Sequence, residues 1–270
     1  MEPFRILISL IGIIIFSFGC TGSPSQKTPD ITDNTPPDIH FKITNVLPHD
    51  SISYTEGLFF HDGKLFESTG HTNSFPASRS IFGIVDRTTG RIDKKAEIDY
   101  HKYFGEGVIL LKGKFYQITD TTHIGFVFDG KTFEKEDSFH YEGEGWGLTT
   151  DGASLLMSNG SSNICYRDPS DFRIIKTLSV HDNNGPVQNL NELELIHGFL
   201  YSNQWLTNYI LKIDTSSGRV VGRMDLSALK KEAKIKYPFA EETNGIAFDS
   251  ATNRIYVTGK KWPVIYEIAE

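Results

Sequence analysis

Carboxylate and tryptophan residues and one lysine lie along this 270-residue sequence at a regular spacing that could bring their side chains together. A first set, spaced on average about 47 residues apart, contains Glu56, Glu106, Trp146, Glu192 and Asn244. A second set follows it, one member after each of the first: Gly70, Asp120, Gly160, Trp205 and Lys260. Carboxyl and ammonium groups against apolar rings acquire shifted pKa values, so the two sets are candidates for proton transfer.

The elements that must position these residues are short strands in five repeats. The repeats open at Thr55-Glu56-Gly57-Leu58, Gly105-Glu106-Gly107-Val108, Gly145-Trp146-Gly147-Leu148, Asn191-Glu192-Leu193-Glu194 and Thr243-Asn244-Gly245-Ile246. Second strands are predicted at 64–67, 114–117, 154–157, 199–202 and 254–257, and third strands at 81–85, 125–128 and 209–213. This period is typical of a four-stranded propeller blade. We therefore predict an all-β, five-bladed β-propeller whose innermost strands carry both sets to one channel.

The ring of blades needs one strand from the other end of the chain. The fifth repeat ends after its third strand, near residues 266–268. Residues 41–46 resemble the fourth strands predicted at 173–176 and 219–222, so we expect them to complete the last blade and to leave no exposed sheet edge. One surface helix is predicted at 226–236, with Leu229 and Ala233 on its apolar face.

The first 40 residues predict export and tethering. Residues 6–18 are apolar or small, follow Arg5, and are too few to span about 30 Å of hydrocarbon, which is typical of a signal peptide. The small residues before Cys20 resemble a lipobox, in which Cys20 is lipidated; an ordinary secretory peptide with an incidental cysteine is the alternative. We interpret 1–19 as a lipoprotein signal peptide, 20–40 as a flexible linker and 41–270 as the propeller. This predicts a periplasmic or cell-surface lipoprotein held at the membrane only through Cys20.

The composition excludes some partners and sites. The formal charge is −7, without a long basic run, which argues against nucleic acid as a partner. The propeller has one thiol, Cys165, which we interpret as a buried strand residue. No two histidines have the spacing of a catalytic zinc site. We expect a monomer.

Seven segments resemble the signatures of the plant and bacterial type of glutaminyl-peptide cyclotransferase. They are Tyr54-Thr55-Glu56-Gly57-Leu58, Glu67-Ser68-Thr69-Gly70, Phe104-Gly105-Glu106-Gly107, Gly145-Trp146-Gly147-Leu148, Asn191-Glu192-Leu193-Glu194, Asn244-Gly245-Ile246-Ala247, and Thr258-Gly259-Lys260 with Trp262-Pro263. The resemblance implies a five-bladed propeller, in agreement with the five repeats. It also implies conversion of N-terminal glutamine of peptides or proteins to pyroglutamate, with release of ammonia.

The resemblance further implies a site built around Glu106 at the channel mouth. Its implied catalytic residues are Glu106, Lys260 and Asn191, and its implied substrate-binding residues are Glu56, Trp146, Trp205, Tyr54 and Phe104. In this interpretation Glu106 moves a proton from the attacking α-amine to the departing amide nitrogen, which requires a pKa raised toward neutrality. Lys260 or the Asn191 amide would donate to the γ-carbonyl oxygen, and the two tryptophans would form apolar walls.

Asp120 departs from the family pattern, which often has an aromatic residue there. We interpret Asp120 as a turn residue rather than as a polar substitute for that wall. Tyr54, where the family often has phenylalanine, is a milder change that keeps the ring.

Catalysis of this kind needs no cofactor, and the residues predict no specific metal ligands. The resemblance implies a structural Ca²⁺ held by channel carbonyls and carboxylates. Two other functions remain open from the residues alone. One is a calcium-dependent propeller lactonase or related hydrolase, usually with six blades, and the other is a non-enzymatic cell-surface binding propeller.

Overall fold

The computed structural model describes residues 35–270, which form five four-stranded antiparallel sheets. The predicted signal peptide, Cys20 and the predicted linker up to residue 34 lie outside the described residues. After β1 (Lys42–Pro48), the first sheet contains β2 (Thr55–His61), β3 (Lys64–Thr69), β4 (Ile81–Val85) and β5 (Ile92–Glu97). The second contains β6 (Gly105–Leu111), β7 (Lys114–Thr119), β8 (Ile124–Asp129) and β9 (Lys135–His140).

The remaining sheets follow the same order from the inside outward. The third contains β10 (Leu148–Thr150), β11 (Leu155–Met157), β12 (Asn163–Arg167) and β13 (Ile174–Ser179), and it is followed by a small hairpin of β14 (His181–Asp182) and β15 (Gly185–Pro186). The fourth contains β16 (Leu190–Ile196), β17 (Phe199–Gln204), β18 (Tyr209–Asp214) and β19 (Val220–Asp225). After α1 (Ser227–Lys236), the fifth contains β20 (Thr243–Asp249), β21 (Arg254–Gly259) and β22 (Val264–Ala269), and β1 pairs with β22 as its outermost strand.

The five innermost strands form a closed ring. Strand β2 contacts β6, β6 contacts β10, β10 contacts β16, β16 contacts β20, and β20 contacts β2. The predicted five-bladed propeller is confirmed by this arrangement. The small β14–β15 hairpin was not predicted.

Apolar side chains fill the spaces between neighbouring sheets. Between the first and second sheets lies an aromatic cluster in which Phe59 stacks on Phe66 with ring centroids 4.9 Å apart, and Phe82 and Phe115 are buried beside them. Fully burying one such ring stabilises the fold by about 1.5–3 kcal/mol. Because each interface is shared by two blades, the packing fixes each inner strand against the next.

The predicted helix and the predicted state of the thiol are confirmed. Helix α1 buries Leu229 and Ala233 beside the fourth and fifth sheets, and Cys165 is buried in β12. No helix within residues 35–270 has the length and apolar character needed to cross a membrane.

The ordered domain begins earlier than the predicted boundary at residue 41. The Ile39 backbone N–H donates to the Arg223 carbonyl at 2.7 Å, and the Arg223 backbone N–H donates to the Pro37 carbonyl at 3.0 Å. Arg223 Nε also donates to Asp38 Oδ1 at 2.8 Å. Residues 37–39 therefore lie along β19, and the end of the predicted linker is part of the folded domain.

Candidate active site

Bulges near the start of the inner strands present the functional side chains. The pairing register shifts between Thr55 and Gly57 in β2, and between Gly105 and Val108 in β6. The same shift occurs between Leu190 and Leu193 in β16. A bulge re-aims the side chain of its extra residue, and these bulges contain Glu56, Glu106 and Asn191.

All eight predicted catalytic and substrate-binding residues line one cavity of about 240 Å³. The lining residues are Tyr54, Glu56, Phe104, Glu106, Asp120, Glu144, Trp146, Asn191, Trp205 and Lys260. Lys260, Glu56 and Glu106 come from three different blades, as the repeat predicts. A larger cavity of about 400 Å³ beside β14 and β15 contains none of the predicted site residues.

A carboxyl pair and a lysine form the buried part of the site. Lys260 Nζ donates to Glu56 Oε1 at 2.6 Å, and Asn244 Nδ2 donates to Glu56 Oε2 at 3.0 Å. The Glu106 and Glu56 carboxyl groups interact electrostatically, and Glu106 Oε2 is buried without a hydrogen-bond partner among the described residues. Glu56 is 1% exposed and Glu106 is 6% exposed, so water does little to screen their interaction.

Burial dominates the ionisation of this pair. It raises the pKa of Glu106 well above its usual range, repulsion from Glu56 raises it further, and attraction to Lys260 lowers it. Burial also raises the pKa of Glu56 to about 7, against the opposing effect of Lys260. The pKa of Lys260 is raised, because attraction to Glu56 and Glu106 outweighs the effect of burial. Of the two carboxyl groups, burial and mutual repulsion thus favour a proton on Glu106, while Lys260 favours the charged form of Glu56.

Aromatic rings form the walls, and glycines seat two of them. Trp146 and Trp205 are perpendicular, with ring centroids 5.4 Å apart. A Cβ on Gly160 would lie 2.5 Å from the Trp146 ring, and one on Gly70 would lie 2.2 Å from the Phe104 ring. The two glycines of the second repeated set therefore do not reach the cavity themselves; they allow the aromatic walls to lie flat on the backbone.

The first repeated set was aligned wrongly in the fourth repeat. There Asn191, not Glu192, takes the position of Glu106, because Leu193 and Val108 are the first residues after their bulges. Glu192 instead accepts the backbone N–H groups of Leu58 at 3.1 Å and Ile246 at 2.8 Å.

The fifth member of that set, Asn244, also lies outside the cavity lining. Its side chain donates to Glu56, so it holds a cavity residue in place.

Comparisons with known proteins agree with the fold. The family model of glutamine cyclotransferase matches residues 14–269. The chain belongs to the glutamine cyclotransferase family. A glutaminyl-peptide cyclotransferase of Arabidopsis thaliana is 32% identical over 271 residues, which cover 99% of this chain and 82% of the relative. The crystal structure of Myxococcus xanthus glutaminyl cyclase is 31% identical, has a TM-score of 0.76, and is matched over 87% of this chain and 97% of its own.

Two acidic residues that the sequence analysis did not place in the site of this glutamine cyclotransferase family member also line the cavity. Asp120 lines the cavity, so its interpretation as a turn residue alone is wrong. Its backbone N–H does donate to the Phe104 carbonyl at 3.2 Å, yet its side chain takes part in the wall. Glu144, which sequence reasoning missed, accepts the Trp146 indole N–H at 3.0 Å. Its signal was the Glu-Gly pair repeated directly before Trp146.

The structural Ca²⁺ that the resemblance implies would take six to eight oxygen ligands. In the described part of the chain, no three His, Cys, Asp or Glu side chains converge on a point where a metal could bind. Glu192 accepts two backbone N–H groups, and Glu194 accepts the Phe248 N–H at 3.1 Å and the Thr149 hydroxyl at 3.3 Å. These oxygens are already occupied by donors.

Proposed function

We propose that this protein is a glutaminyl-peptide cyclotransferase, which converts N-terminal glutamine of a peptide or protein to pyroglutamate and releases ammonia. The family membership supports the activity. One observation supports the site: the buried carboxyl groups of Glu56 and Glu106 line a cavity walled by Trp146 and Trp205, and Lys260 Nζ donates to Glu56 Oε1 at 2.6 Å.

The reaction forms a bond between the α-amine nitrogen and the γ-carbonyl carbon and breaks the bond to the amide nitrogen. One proton must leave the attacking amine, and one must reach the departing nitrogen as ammonia forms. We propose that Glu106, neutral at neutral pH, gives its proton to the departing nitrogen. The carboxyl pair then regains a proton from the amine. General acid–base catalysis of this kind contributes roughly 10²- to 10⁴-fold in rate.

Lys260 and Asn191 are proposed to orient the reacting amide. The Lys260 ammonium has three donors and uses one on Glu56 Oε1, so another can stabilise negative charge on the γ-carbonyl oxygen. Asn191 Oδ1 is buried without a partner and is an acceptor for an N–H of the substrate. This assignment leaves the donor role to Lys260.

The aromatic residues are proposed to hold the folded-back glutamine and to exclude water. Both reacting groups belong to one residue, so the enzyme gains rate by restricting the substrate to the conformer that cyclises. Trp146 and Trp205 give two perpendicular apolar walls for the side chain, and exclusion of water limits hydrolysis to glutamate. Tyr54 lies beneath the Lys260 ammonium, 4.6 Å from ring centroid to Nζ, and helps to fix it.

The activity is tested with a purified protein and a peptide that begins with glutamine. Release of ammonia, with loss of one ammonia from the peptide mass, is the expected result; the same peptide beginning with asparagine is the control. No ammonia release from any glutamine peptide would exclude the cyclotransferase and favour a binding propeller. Lactone hydrolysis that depends on Ca²⁺ would favour the hydrolase.

We also propose that the protein is an exported monomeric lipoprotein anchored through Cys20. The apolar segment before Cys20 and the small residues beside it support this proposal. Replacing Cys20 with serine should move the protein from the membrane fraction to the soluble fraction. Retention of the C20S protein in membranes would contradict lipidation at this residue.

A further inference from the structure

The outer part of the cavity carries two carboxylates around one indole. Asp120 is half-buried and Glu144 is exposed. Trp146 Nε1 donates to Glu144 Oε2 at 3.0 Å, and interaction with Trp146 lowers the pKa of Asp120. A single N–H donor does not cancel the negative charge of two carboxylates. We call Asp120 and Glu144 the acidic rim.

Few cationic groups offset the acidic rim. Lys260 is the cation of the cavity lining, and its ammonium is engaged with Glu56 at 2.6 Å. Electrostatic interaction with His123 lowers the pKa of Asp120, and His123 Nδ1 lies 2.7 Å from the Gly143 carbonyl oxygen. Repulsion from Glu144 contributes to raising the pKa of Asp120, after burial as the larger cause. The rim therefore presents negative charge to whatever enters the cavity.

Two buried atoms indicate which end of a ligand enters first. Glu106 Oε2 and Asn191 Oδ1 are both buried without a hydrogen-bond partner, and both residues line this cavity. Glu106 is 6% exposed and Asn191 is 5% exposed. A ligand that brings polar hydrogen-bonding groups to the inner end can satisfy these buried atoms. An N-terminal glutamine does so with its amine and its amide.

This orientation determines where the rest of the peptide lies. With the glutamine at Glu106 and Asn191, the chain must leave past the acidic rim, so the second residue of the substrate lies nearest to Asp120 and Glu144. We propose that the acidic rim selects peptide substrates whose second residue is basic, lysine or arginine, and disfavours those whose second residue is acidic. This inference rests on the proposed cyclotransferase activity and names its substrate class.

The experiment compares three peptides that differ only in the second residue: Gln-Lys, Gln-Leu and Gln-Glu. A unit charge several ångströms from two partly solvated carboxylates should change kcat/KM by roughly fivefold in each direction, so the Lys to Glu ratio should reach roughly 25 at low salt. Molar salt should bring this ratio close to one, because it screens exposed charges.

Two variants assign the selectivity to the rim. In the double variant Asp120→Asn with Glu144→Gln, the Lys to Glu ratio should fall to about one. The matched control is Glu134→Gln, which removes an exposed carboxylate from the turn between β8 and β9 and should leave the ratio at the wild-type value. If the double variant fails to fold, the salt dependence of the wild-type ratio and the ratio of the single variant Glu144→Gln test whether the acidic rim causes the selectivity.

The outcomes separate this inference from the proposed function. Ammonia release with equal kcat/KM for all three peptides overturns the inference and leaves the cyclotransferase standing. A ratio that survives in the double variant also overturns it. Absence of ammonia from every peptide overturns the proposed function and, with it, this substrate class.

Discussion

Replacing Glu106 with glutamine should abolish most of the activity while leaving the fold intact. Burial and repulsion from Glu56 raise the pKa of Glu106, which favours the neutral form of the wild-type side chain. Glutamine has the same shape and the same charge as that neutral form but cannot release a proton. The expected loss in kcat is roughly 10²- to 10⁴-fold, which corresponds to about 2.7–5.5 kcal/mol on the barrier. The KM should change much less, because the cavity walls are retained.

The stability of the E106Q variant gives an independent check. A raised carboxyl pKa means that the contribution of Glu106 to stability is fully present below its unfolded-state pKa and is lost as pH rises through the folded-state value. The variant lacks this loss, so its stability in urea unfolding, matched to wild type near pH 4, should exceed wild type increasingly as the pH rises above about 4.3. Glu142→Gln, which changes an exposed carboxylate, is the matched control. An E106Q protein that releases ammonia from a glutamine peptide at the wild-type rate would refute the assigned role of Glu106.

Three further predictions follow from the packing and from the buried acids. Replacing Gly70 with alanine should lower kcat/KM by roughly ten- to a hundredfold, because the new Cβ would lie 2.2 Å from the Phe104 ring and displace it; steady-state kinetics with unchanged values would contradict this. Burial raises the pKa of Glu194 to about 8, so between pH 5 and 8 it should remove roughly 4 kcal/mol of wild-type stability, and urea unfolding of Glu194→Gln should lack this decline. Chelation with EDTA should leave ammonia release unchanged, and a loss that Ca²⁺ restores would contradict the absence of a metal step.

The repeat pattern was enough to predict the blades because each blade reuses the same strand order. Alternating apolar residues and turn residues predicted the second and third strands closely; for example, the strand predicted at 81–85 is β4 (Ile81–Val85). The sequence pattern does not predict the hairpin of β14 and β15, because strands of two residues are too short to show a periodicity. The boundary at residue 41 was placed late because Asp38 and Ile39 are bound by backbone and side-chain contacts to Arg223 that are distant in sequence.

The sequence predicts the site less well where a β-bulge determines the direction of a side chain. In the segment Asn191-Glu192-Leu193 either polar residue could match Glu106, and the repeat alignment chose Glu192. An alignment on the first apolar residue after each bulge, Leu193 with Val108, would have chosen Asn191. Asp120 and Glu144 lie between strands, where side-chain directions have no periodic signal.

Glu192 shows how the same bulges that present the site are also stabilised. In the other four repeats its position is glycine, and Gly147, for example, lies so close to the neighbouring strand that a Cβ would be 2.2 Å from the Asn191 carbonyl oxygen. A side chain is tolerated only in the fourth repeat, where the Glu192 carboxyl accepts N–H groups of Leu58 and Ile246, one in each of two other inner strands. Leu58 and Ile246 closely follow bulges, where ladder hydrogen bonds are interrupted, so Glu192 supplies acceptors to donors that the strands leave open. The neighbouring residue in each of these bulges contributes to the site or supports it. Glu192, which does not line the cavity, therefore fixes the backbone of two inner strands whose bulges hold Glu56 and Asn244.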